Sequence, residues 1–111
     1  MAVTSGVEAK RMLSEVPKER AFYFYEDIGV YTGRQASSLM QFCSILKDVN
    51  VKSIEFHLKR GDFENWIRSL KDTQLASRIA NLKGRKLTGE TLRTELYTLV
   101  KKRVDELNLR M

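Results

Sequence analysis

Residues 62–82 read DFENWIRSLKDTQLASRIANL. Phe63, Trp66, Ile67 and Leu70 recur at intervals of three and four, and Leu75, Ala76, Ile79 and Leu82 form a second such series after Asp72. Apolar residues at that spacing share one face of a 3.6-residue helix. Asp62 and Asp72 stand where an N-cap carboxylate would accept from first-turn amides, and Gly84 stands where the second helix would stop. The stretch predicts two short helices in succession and a mostly helical domain around them.

The pattern continues on both sides. Thr88 is the expected cap of the last and longest helix, with Leu92, Leu96, Leu99, Val100 and Leu107 on one side. From about Gly89 to Asn108 it would run roughly 30 Å. Upstream, Val51 to Leu58 admits two readings. Ile54, Phe56 and Leu58 alternate as a strand would, whereas Ser53 as a cap and Gly61 as a stop favour a short helix, the preferred reading. Ser38-x-x-Gln41 has capping-box spacing, and Leu39, Phe42, Cys43, Leu46 and Val49 make an amphipathic helix.

The helical signal breaks near the N-terminus. Ala21-Phe22-Tyr23-Phe24-Tyr25 reads as a strand, with the phenylalanines on one face and the tyrosines on the other. Ile28 to Thr32 reads as a second, shorter strand, with Gly29 and Gly33 supplying turn freedom. Before it, Ser5 and Glu8 have capping-box spacing, Met12, Leu13 and Val16 form a short stripe, and Pro17 ends it. Fraying is expected of the first residues. The fold class is mostly α, four to five helices with a short aromatic β element near the N-terminus. Residues 1–20 are expected to be a weakly ordered segment and 21–111 a single globular domain.

Composition narrows the function classes. The chain has 111 residues and a net charge of +6, which fits one domain with one modest core. One cysteine, Cys43, and one histidine, His57, exclude a standard zinc module and an intramolecular disulfide. Cys43, among Phe42, Ile45 and Leu46, reads as a buried thiol rather than a nucleophile. No long apolar run suggests a membrane span, and no apolar stretch near Met1 reads as a signal peptide, so the expected location is cytoplasmic. The charge is segregated. Residues 1–55 hold equal numbers of acids and bases, so the whole excess lies in residues 56–111.

Several uncommon residues recur at fixed spacing. They are Phe22-Tyr23-Phe24-Tyr25, Ile28-Gly29, Tyr31-Thr32-Gly33, then His57, Gly61, Asp62, Phe63 and Trp66, with Leu75-Ala76 beyond. On these residues, the segment from Phe22 to Ile79 resembles an uncharacterised family of small prokaryotic, largely archaeal domains with a His-x3-Gly-Asp-Phe-x2-Trp core. The resemblance implies a shared fold and an intracellular, archaeal protein. It implies no activity.

Four constellations bear on function. Glu55, His57, Asp62 and Glu64 place carboxylates near a histidine, as acid–base or metal chemistry would need. Capping by Asp62 and packing of His57 beside Phe56 explain the same residues structurally, and that reading is preferred. Phe22, Tyr23, Phe24, Tyr25 and Tyr31 could stack bases, but no cation lies within residues 21–33, so core packing is favoured over a base platform. Arg78, Lys83, Arg85 and Lys86, with Lys101, Lys102 and Arg103 further on, form a cationic set suited to phosphates. Gly84 and Gly89 have the spacing of a phosphate loop, but Glu90 follows where Lys is required. Finally, the distal part of the last helix, with Val104 and Leu107, could dimerise if the core does not cover it, although packing within the domain is the simpler reading.

No nucleophile–base pair, metal set or cofactor loop can be assembled, so enzymatic function and cofactors are not expected. The expected function is a small binding or accessory protein. It would contact RNA or DNA phosphates through its C-terminal half, as part of a larger assembly. The alternative is a protein-interaction module or homo-oligomer without a nucleic-acid role.

Overall fold

The computed structural model describes residues 4–111, so any fraying of Met1 to Val3 lies outside the described residues. Helix α1 (Gly6–Leu13) opens with a complete capping box: Ser5 Oγ accepts from Glu8 N–H, and Glu8 accepts in return from Ser5 N–H. It ends at Leu13, four residues ahead of Pro17, and a single 3₁₀ turn (Lys18–Arg20) leads into the sheet.

Strands β1 (Phe22–Asp27) and β2 (Val30–Ala36) form an antiparallel hairpin. The second strand is longer and later than Ile28 to Thr32, because Ile28 and Gly29 make the turn and Gly29 takes φ 74 there. The pairing slips after Phe24, where Tyr25 pairs with Tyr31 rather than with Gly33. Gly33, at φ 85, takes up the extra residues as a bulge. Alternation holds in β1: Phe22 and Phe24 are buried. Tyr23, Tyr25 and Tyr31 pack on one another on the other face, with Tyr31 at 5.9 Å from Tyr23 and 5.3 Å from Tyr25.

Five further helices follow: α2 (Leu39–Ile45), α3 (Val51–Arg60), α4 (Asp62–Ser69), α5 (Thr73–Gly84) and α6 (Gly89–Arg110). With α1 they make six rather than four to five. Segment 6–13, behind the Ser5–Glu8 spacing, and segment 51–60, whose alternation also admitted a strand, are both helices. In α3 the cap is Asn50, not Ser53; Asn50 accepts from Lys52 N–H, and Ser53 lies buried inside the helix. Gly61 stops α3 at φ 79, the left-handed conformation that glycine adopts without steric cost.

The core has two connected parts. Phe22 and Phe24 from the sheet meet Phe42 of α2 and Phe63 and Trp66 of α4, with ring centroids 4.8–6.3 Å apart, which suits edge-to-face and tilted packing. Leu92, Leu96, Val100, Val104 and Leu107 of α6 continue it toward α1, α2, α3 and α5. Helix α1 packs along α6, and the Gly6 backbone comes so close to Arg110 that an added Cβ would lie 2.6 Å from its carbonyl oxygen. Val104 and Leu107 are therefore covered within the chain and offer no dimer face.

Candidate functional site

The His57 motif is a structural clasp. The Nε2 atom of His57 accepts from the backbone N–H of Tyr25 at 2.8 Å, which places the ring proton on Nδ1. Nδ1 then donates to Asp62 Oδ2, also at 2.8 Å, and Arg60 Nε donates to the same oxygen at 3.0 Å. The ring is packed among Phe22, Phe56 and Phe63. Burial pushes its pKa below the usual histidine value, against the pull of Asp62. An Asp–His pair of this kind could orient a general base. Here the basic nitrogen is already occupied by a backbone amide, so the pair fastens strand β1 to α3 and α4.

The remaining motif residues serve the same junction. Gly61 makes the turn between α3 and α4, Phe63 fills the aromatic core, and Trp66 Nε1 donates to the Arg20 carbonyl at 2.7 Å. Asp62 is not the N-cap of α4. It is the first helical residue, and its carboxylate turns back to His57 and Arg60 instead. Glu55 is drawn away from the histidine: its Oε2 accepts from Gly89 N–H at 2.8 Å, capping α6 from α3, while the Thr88 side chain makes no capping bond. Glu64 lies 4.0 Å from Arg68. No group of three metal-ligating side chains forms among the described residues. Cys43 is buried, and burial raises its pKa, which disfavours the reactive thiolate.

The cationic set does not form one patch. Arg103 is buried, 3% exposed. Its Nε and Nη2 donate to the two oxygens of Asp72 at 2.9 and 3.0 Å, Nη1 donates to Glu106 and Nη2 to Thr4 Oγ1. Burial works against its charge, but the Asp72 and Glu106 carboxylates outweigh this and hold its pKa above the usual arginine value. Arg103 is thus a structural residue and is not available to phosphates. Its place was legible in the helical phase, since it lies seven residues after Leu96, three after Val100 and four before Leu107. Arg78 pairs with Glu106 at 3.1 Å, and Lys101 with Asp105 at 2.8 Å. Lys102 is exposed on α6, ~20 Å along the helix from Gly89.

Lys83, Arg85 and Lys86 do come together at the α5–α6 turn. Arg85 reaches Glu95 at 3.4 Å, whereas no carboxylate among the described residues lies within ion-pair distance of Lys83 or Lys86. The Glu55–Gly89 bond holds this turn against α3. Lys83 Nζ lies 3.9 Å from where a Cβ on Gly61 would stand, so it sits beside the cationic end of α3, Lys59 and Arg60. Both are exposed at the end of α3, Arg60 already donating to Asp62, and they lay outside the set read from the sequence. Lys86 adopts φ 56, a left-handed conformation that usually calls for glycine.

A family model covers residues 2–101 of the chain. The protein belongs to that family, which is described as a family of unknown function, DUF5752. Searches of curated proteins and of solved structures find no match.

Proposed function

We propose that the protein is a small, non-enzymatic, cytoplasmic accessory protein that contacts RNA or DNA phosphates. The contact surface would be Lys83, Arg85 and Lys86 of the α5–α6 turn together with Lys59 and Arg60 at the end of α3. The observation that carries this reading is the placement of Lys83 Nζ beside Gly61, which brings the cationic end of α5 next to the turn that ends α3. Phosphate contacts of this kind give affinity without sequence preference and weaken steeply with salt. Fluorescence anisotropy with a labelled single strand and a labelled duplex, at about 50 and 200 mM salt, tests it. The expected result is binding at low salt, lost on Lys83→Glu with Lys86→Glu and kept on Lys102→Glu. Absence of binding at low salt to both probes would overturn the reading.

The second reading, a protein-interaction module, is favoured by a different surface. At the hairpin turn Ile28 is 79% exposed, with Val30 and Tyr31 about half exposed, beside the acidic pair Glu26 and Asp27. A partner co-purified from nuclease-treated extract and released by Ile28→Asp would support it over nucleic-acid contact.

A further inference from the structure

The α4–α5 hairpin has a second cationic end, opposite Lys83. Helix α4 finishes with a paired set of backbone bonds: Lys71 N–H donates to the Arg68 carbonyl and Asp72 N–H to the Ile67 carbonyl. This is a Schellman arrangement, and it forces residue 71 into the left-handed region, where Lys71 sits at φ 73. Helix α5 then runs ~18 Å away to the Lys83 end. Beside Lys71 lies a half-open cleft of about 240 Å³, walled by Arg11 of α1, Ser14 and Glu15 just after it, Arg20 of the 3₁₀ turn, and Ser69 of α4.

Three cationic residues from three separate segments line this cleft. None of Arg11, Arg20 and Lys71 has a carboxylate within ion-pair distance among the described residues. Arg20 is held in the wall, because its Nη2 donates to the Ser69 carbonyl at 3.1 Å while its own carbonyl accepts from Trp66. Its other N–H groups are left to face the cleft or solvent. Glu15 is the one acid in the lining, so the cleft carries a formal charge of +2. Like charges gathered in a concave site raise the local concentration of counter-ions. At ~30 Å³ per water, the volume holds about eight water-sized groups, and it falls below the range of drug-sized ligand pockets.

We propose that this cleft binds a small phosphate dianion, with Arg11, Arg20 and Lys71 as its donors. The guanidinium of Arg20 offers fixed, planar hydrogen bonding, and Lys71 supplies a point charge from a backbone position that glycine would occupy at lower cost. The site is separate from the α5–α6 surface and stands or falls independently of it.

Trp66 is the sole tryptophan, and its indole is bonded to Arg20, so its emission reports on the cleft. The test is titration of the full chain with inorganic phosphate, followed by Trp66 fluorescence and by calorimetry, at constant ionic strength set with chloride. Saturable binding is expected. Arg11→Gln with Lys71→Gly should weaken it at least tenfold, and Glu15→Gln should tighten it. Lys83→Glu with Lys86→Glu should leave it unchanged. Lys71→Gly relieves the left-handed strain, so a melting temperature held or raised in that variant separates lost binding from lost folding. A 5′-phosphorylated oligonucleotide compared with its unphosphorylated form distinguishes a strand terminus from a free phosphate as the source. No saturation by inorganic phosphate, or equal affinity in the Arg11→Gln, Lys71→Gly variant, would overturn the proposal.

Discussion

Arg103 grips Asp72 with two nitrogens, at 2.9 and 3.0 Å, and the pair is almost wholly buried. Asp72 simultaneously caps α5 by accepting from Leu75 N–H at 3.1 Å. One carboxylate thus starts α5 and anchors α6 to it, and Thr4 ties the N-terminal segment to the same guanidinium.

Truncating one member of this pair strands the other charge in the interior. Arg103→Ala is expected to destabilise the fold by about 3–5 kcal/mol, a large part of what a domain of this size has. Arg103→Met with Asp72→Asn should recover much of the loss, because no charge is left unpaired and the stem is replaced. Chemical denaturation of the three proteins checks the order. A loss under 1 kcal/mol in Arg103→Ala would contradict the clamp.

Acid should loosen the His57 clasp. The folded-state pKa of His57 is depressed by burial, so the unfolded chain binds the proton more readily. Its contribution is fully present above the unfolded value, about 6.5, and is lost progressively as pH falls below that toward the folded value. Protonated Nε2 would also face the Tyr25 N–H donor to donor. Urea midpoints between pH 7.5 and 5 should fall in the wild type and fall less in His57→Gln, which itself should cost about 2–4 kcal/mol through unpaired polar groups and lost packing. Parallel pH profiles would contradict this account.

Gly6→Ala is expected to reverse the usual effect of adding a methyl group in a helix. Alanine ordinarily gains roughly 0.5–1 kcal/mol over glycine there. At Gly6 the new Cβ would stand 2.6 Å from the Arg110 carbonyl oxygen, a backbone atom that cannot swing aside. Helix α1 must move off α6, uncovering part of Val104 and Leu107. A lower melting temperature, with faster amide exchange in α1 than in α5, is the expected outcome.

These features were not equally legible in the sequence. Local rules found the elements: the stripes of 62–82, the Asp72 cap, the Ser5–Glu8 box and the buried face of Phe22 and Phe24 all hold. The misreadings were partly local, as with the Ser53 cap and the phase of Arg103, and partly non-local. Asp62 has the chemistry of a cap, but His57 lies one turn behind it and takes the carboxylate. Lys101, Lys102 and Arg103 read as one exposed knot, yet their side chains point in three directions around a helix, and the third meets a carboxylate 31 residues away. Arg11, Arg20 and Lys71 are scattered through the chain, so no window of sequence could gather them.

Lys86 joins conformation to the proposed phosphate contact. It follows α5 as the left-handed residue at φ 56, with its N–H donating to the Lys83 carbonyl at 3.2 Å. A non-glycine residue there costs about 1 kcal/mol, and Lys86→Gly should return that amount as stability. If the side chain serves only solubility or the helix dipole, the substitution is a net gain and nothing else changes. If it contacts phosphate, affinity for a labelled strand drops while the melting temperature rises. The slope of log affinity against log salt should then shrink by about one unit, the signature of a single lost ionic contact. Opposite movements of stability and binding in one variant cannot arise from damage to the fold, so this measurement isolates the function of the α5–α6 turn from its architecture.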